Sequence, residues 1–108
     1  MLVLIVDATQ RYRLSAAFDV LPSGQALGYQ QMRIGRDGAE STLANALSEH
    51  RSFALTAARA REVCADVAHA VNGWRAHFEA LGVTGRDLAL LSEQIDRKFL
   101  RDQRERLT

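Results

Sequence analysis

The chain has 108 residues, 47% of them apolar and 25% charged, with 14 Lys plus Arg against 13 Asp plus Glu. That length fits one domain or part of one, and the composition excludes a wholly disordered chain. A net charge of +1 supplies no global field toward nucleic acid or an anionic membrane, and no apolar run approaches the ~20 residues of a bilayer span.

The chain opens on an apolar run, Leu2-Val3-Leu4-Ile5-Val6, closed by Asp7. A run this short suits a strand buried on both faces. It has neither the length nor the preceding basic stretch of a secretory segment. The lone Cys64 cannot form an internal disulfide, so a cytoplasmic location is expected. Asp7-Ala8-Thr9-Gln10 is a turn in which Asp7 can bond its own backbone. Arg11-Tyr12-Arg13-Leu14 alternates like a half-exposed strand. Residues 2–18 therefore read as a β-hairpin, with Asp19 at the end of its second strand. Pro22 holds Leu21 extended, and Pro22-Ser23-Gly24 begins a long loop over 22–38 with a short strand at Gln31–Ile34. A loop of that length is commonly functional.

Residues 39–108 are rich in Ala, Leu, Arg and Glu, which are good helix formers, and predict three helices. The first starts at Glu40 or Ser41 and ends near His50. The second is capped by Thr56 and places Ala60, Val63, Cys64, Val67, Val71, Trp74, Phe78 and Leu81 on one apolar stripe, with Gly82 as its left-handed stop. Thr84 caps the third with Asp87 at its third position. Leu88, Leu91, Ile95 and Phe99 lie on its inner face, and Glu93–Arg97 and Asp102–Arg106 are spaced as ion pairs. Beyond Leu100 a frayed, charged tail is expected. The expected class is α+β, mainly α: one unit over 1–108, with a hairpin and metal loop in 1–38 and a helical part in 39–108.

Three helices cover one face of a hairpin more readily than two. The apolar strand therefore predicts a covering segment from elsewhere, in the same chain or another. This fits a homo-oligomer as well as a heteromeric complex.

Few side chains carry chemistry. His69 and His77 are eight helical residues apart, about 12 Å, too far to share a zinc ion. His50 suits the end of a helix. Cys64 and Trp74 fall on the apolar stripe and read as core. The glycines form no phosphate cradle, since neither Gly-Lys-Ser/Thr nor a GxGxxG leads a strand into a helix. Arg97, Lys98, Arg101, Arg104 and Arg106 alternate with Asp96, Asp102 and Glu105, which favours a solvated helix face over a nucleic-acid surface. Asp19 remains. Its position suits either a turn-forming acid or a carboxylate holding Mg²⁺ against nucleotide phosphates.

Tyr12-Arg13-Leu14-Ser15-Ala16-Ala17-Phe18-Asp19-Val20-Leu21-Pro22 resembles the corresponding segment of the HipA family, the serine/threonine kinases of bacterial type II toxin–antitoxin modules. Ala16 stands where proline is usual. The likeness continues through Gly35, Asn45-Ala46-Leu47-Ser48 and Val71-Asn72-Gly73-Trp74-Arg75, and so covers most of the chain. It implies the C-terminal, mainly helical part of a kinase-like fold, in which Asp19 binds Mg²⁺ and, through it, ATP. The family's catalytic loop and nucleotide-binding lobe have no counterpart here, so no catalytic residue is assigned and neither Mg²⁺ nor ATP is expected to bind tightly to this chain alone. The partners implied are a complementing N-terminal kinase segment or an antitoxin. The alternative is a non-enzymatic helical module that binds an antitoxin or self-associates.

Overall fold

The structure is a computed structural model that describes residues 4–17 and 31–107. Its elements in order are β1 (Leu4–Val6), β2 (Tyr12–Leu14), α1 (Leu43–Ser48), a single 3-10 segment (His50–Phe53), α2 (Ala57–Asn72), α3 (Trp74–Ala80), α4 (Gly85–Ile95) and α5 (Lys98–Glu105). It is mainly helical with an N-terminal antiparallel hairpin, as the composition of the two halves predicts.

The hairpin pairs Leu4 with Leu14, Ile5 with Arg13 and Val6 with Tyr12. Asp7 closes it. Its backbone N–H donates to the Arg11 carbonyl, and its Oδ1 accepts from the Thr9 N–H, the Thr9 hydroxyl and the Arg11 N–H. Gln31–Ile34 does not form the expected strand. Ile34 and Gly35 instead donate to the Gly38 carbonyl, and Gly38 donates back to Gly35. The result is a tight turn stitched by the isolated Gly35–Gly38 bridge.

That turn is held against α1 by Asn45, the one fully buried large side chain among the described residues. Its Oδ1 accepts from the Asp37 N–H, and its Nδ2 donates to the carbonyls of Gly38 and Glu40. Ser48 Oγ accepts from the Arg36 N–H and donates to the Asn45 carbonyl. Gly35 packs so closely here that a Cβ would overlap the Asn45 carbonyl, Asn45 Oδ1 and Ser48 Oγ. The cap of α1 is Thr42, one or two residues later than expected, with its hydroxyl accepting from the Asn45 N–H.

Two expected helices are each cut in two. Thr56 caps α2 as predicted, but the helix ends at Asn72, with Gly73 between it and α3. Gly82 has φ +84° and stops α3, as expected of a left-handed stop. Thr84 caps α4 through the Asp87 N–H, with its hydroxyl donating to Asp87 Oδ2. Asp96 and Arg97 then interrupt the run, and the expected frayed tail is helix α5. Asp102 pairs with Lys98, one turn back along α5, where the sequence spacing pointed to Arg106.

The apolar core is small. Among the described residues only Ala60, Ala68, Trp74 and Leu88 are buried apolar side chains. The buried side of α2 is therefore made by Ala60, which belongs to the predicted stripe, and Ala68, which does not. Val63 and Val67 are exposed, Val67 by 58%, and Leu81 and Phe99 are exposed as well. Helix α2 is contacted by α1, α5, α3 and the 3-10 segment, and α3 packs on α4, yet these leave Val63 and Val67 uncovered.

Asn45→Ala removes the partners of one backbone N–H and two carbonyls in a half-buried turn, where water reaches some of them, so each costs toward the lower end of about 1–3 kcal/mol. A loss of roughly 3 kcal/mol or more is expected in urea unfolding, and Asn45→Asp, which keeps the acceptor but no donor, should recover only part of it.

Candidate functional site

Asp19, the residue proposed from sequence to hold Mg²⁺ and ATP, lies outside the described residues, as do Phe18 and Pro22. The described residues flank it on both sides. Upstream are the hairpin and Ser15–Ala17; downstream is the turn Ile34–Gly38, fixed against α1 by Asn45 and Ser48. Both flanks are anchored by dense local hydrogen bonding.

The carboxylate in the hairpin turn, Asp7, is engaged by its own backbone and Thr9. Its Oδ1 already accepts three hydrogen bonds. These bonds, the Thr9 hydroxyl's foremost, hold its carboxyl below the usual aspartate range. Among the described residues, no three His, Cys, Asp or Glu side chains converge to hold a metal ion. His69 and His77 are exposed on different helices. His50 is in the 3-10 segment rather than the last turn of α1, and its Nδ1 lies 2.7 Å from the Leu55 carbonyl. Cys64 is half-buried.

A groove of about 650 Å³ runs beside α1 and α5, lined by Leu43, Leu47, Phe99 and Leu107, with Arg61 and Asp102 among its polar walls. Of this lining, the sequence places Phe99 on an inner helix face and Leu107 in the tail expected to fray. The Leu43 N–H spans the same junction to Gln103 Oε1 at 2.8 Å, tying the start of α1 to α5.

The largest departure from the sequence reading is Arg104. It was grouped with a solvated basic face, yet it is 8% exposed. Its Nε donates to Asn72 Oδ1 at 2.8 Å, its Nη1 to the Ile95 carbonyl at 2.8 Å, and its Nη2 to Asp96 Oδ1 at 2.6 Å. The other oxygen of Asp96 accepts from Trp74 Nε1 at 3.0 Å. Trp74 is buried as predicted, with its ring edge-on to Phe78 and the Arg75 guanidinium 5.0 Å from its centroid. One sequence signal pointed this way: Arg104 falls on the apolar side of α5, in step with Leu100.

Among the described residues no helix is long and apolar enough to cross a membrane.

Thr9→Ala should bring the Asp7 carboxyl back up toward its ordinary value, read by NMR titration of the side-chain carbon. Because that carboxyl is depressed in the folded state, its contribution is present above the unfolded value of 3.8 and is lost as pH falls through the lower folded value. The variant should therefore narrow the acid range over which the hairpin amides stay protected.

Compared with known proteins, the chain matches no family model, no curated relative and no solved structure.

Proposed function

We propose that this chain is the C-terminal, helical portion of a HipA-type serine/threonine kinase. In this reading Asp19 supplies one carboxylate toward Mg²⁺ of ATP, and the chain transfers no phosphate alone. The observation that carries the reading is where the other residues of the resemblance fall. Gly35, Asn45 and Ser48 make the polar pin between the turn and α1. Asn72 and Trp74 belong to the cluster around Arg104. These residues act in support of a fold, which is what the helical part of such an enzyme would need them for.

The exposed surface fits a body that seats against another. Tyr12 and Leu14 on β2 are 73% and 64% exposed, and Val6 on β1 and Val67 on α2 are exposed too. A two-stranded hairpin is marginal without something to cover it. A single carboxylate is a weak Mg²⁺ site, because this ion takes most of its ligands from water and substrate phosphates. Of the parts phosphoryl transfer requires, only the metal-holding acid is ascribed to this chain.

The same exposed hairpin favours a second reading, a non-enzymatic module that binds an antitoxin or a second copy through β1 and β2. The two readings separate on Asp19. With Mg²⁺ and γ-labelled ATP, the chain alone should label no protein above an Asp19→Asn control. Joined to the N-terminal body of a HipA-type kinase, it should support labelling that Asp19→Asn reduces by at least a hundredfold. Labelling by the joined protein that is indifferent to Asp19→Asn would overturn the kinase reading. A defined oligomer or complex that forms equally well with Asp19→Asn would then favour the module.

A further inference from the structure

Two features of the helical half coincide in space. The helical run from 57 to 80 is interrupted at Gly73, and the run from 85 to 105 at Asp96 and Arg97. The residues that flank both interruptions meet in one cluster. Asn72 is the last residue of α2, Trp74 the first of α3, and Ile95 the last of α4, with Asp96 directly after it. All four are joined through Arg104 of α5: three directly, and Trp74 by way of Asp96. The packing largely follows the same line, with α1 and α5 on α2 and α3 on α4, while α3 also touches α2, to which Gly73 joins it.

We propose that α3 and α4 form an arm that swings as one body about Gly73 and Asp96–Arg97, and that the Arg104 cluster is the catch that holds it closed. Glycine offers the least resistance to a change of backbone angle, and hinges are commonly a few residues at the ends of elements. The arm keeps its own contacts when it moves, since Leu88 is buried on α4 and α3 packs beside it. What must break is the polar cluster, and with it the burial of Trp74. Arg104 is suited to a catch because its planar fork engages three acceptors at once, from both sides of the line. The proposal does not rest on the kinase reading.

Trp74 is the sole tryptophan of the chain, so its emission reports the catch directly. The test compares the full chain with Arg104→Gln and Asp96→Asn by acrylamide quenching and by amide hydrogen exchange. In Arg104→Gln, quenching of Trp74 should rise about threefold. Amides at 73–77 and 95–98 should exchange at least tenfold faster, with those at 60–68 in α2 unchanged. Asp96→Asn keeps an acceptor for Trp74 but loses the charge facing Arg104, and should show the same pattern at smaller amplitude. If Arg104→Gln does not fold, Asp96→Asn alone decides. Faster exchange by one common factor in α2, α3 and α4, or no change in either variant, would overturn the proposal: the first makes the helices one cooperative unit, the second leaves the cluster without a holding role.

Discussion

The helical half is organised around one buried guanidinium. Taking Arg104 out of water is costly unless its N–H groups find acceptors and its charge finds a counter-charge. The fold meets that demand with Asn72, the Ile95 carbonyl and Asp96. These acceptors sit where α2 and α4 end, and the Ile95 carbonyl is one of those that an α-helix leaves without an internal partner. The charge and the helix ends thus satisfy each other. Both α2 and α4 end at residues that Arg104 reaches.

Asn45 plays the matching part at the other end. It closes the Gly35–Gly38 turn onto α1 with three hydrogen bonds of its own, and Ser48 adds a fourth contact to the same backbone. Among the described residues, the apolar core beside these pins is two alanines, one leucine and one tryptophan. Polar networks of this kind specify an arrangement more than they stabilise it, because each bond replaces one made to water. A chain so arranged has its geometry set internally while much of its apolar surface stays open.

The sequence was most readable where local rules act alone. Thr56, Thr84 and Gly82 mark helix ends by side-chain or backbone chemistry within a few residues, and they do so in the structure. The Asp7 turn and the hairpin follow for the same reason. It was least readable where a distant residue decides. Periodicity carries α2 through Gly73 and α4 through Asp96, since the apolar spacing continues across both; both breaks lie beside Arg104, which is 32 residues from its Asn72 partner. Charge counting placed Arg104 in solvent because its neighbours in sequence are charged, whereas its neighbours in space are acceptors. The stripe on α2 is apolar but misplaced, with Val63 and Val67 exposed and Ala68 buried off it, because periodicity counts residues without knowing where other helices cover them. The carboxylate at Asp19 rests on resemblance and the chemistry of its position, and it lies outside the described residues.

The corner between α1 and α2 has a quieter consequence. Ala54 takes a left-handed conformation at φ 56°, which costs a residue bearing a Cβ about 1–2 kcal/mol. Two reciprocal bonds between His50 and Leu55 span it: the Leu55 N–H to the His50 carbonyl, and the His50 ring to the Leu55 carbonyl. The imidazole is thereby a brace across an elbow, and the heading on which the longest helix departs is set by a ring that never touches that helix's own backbone.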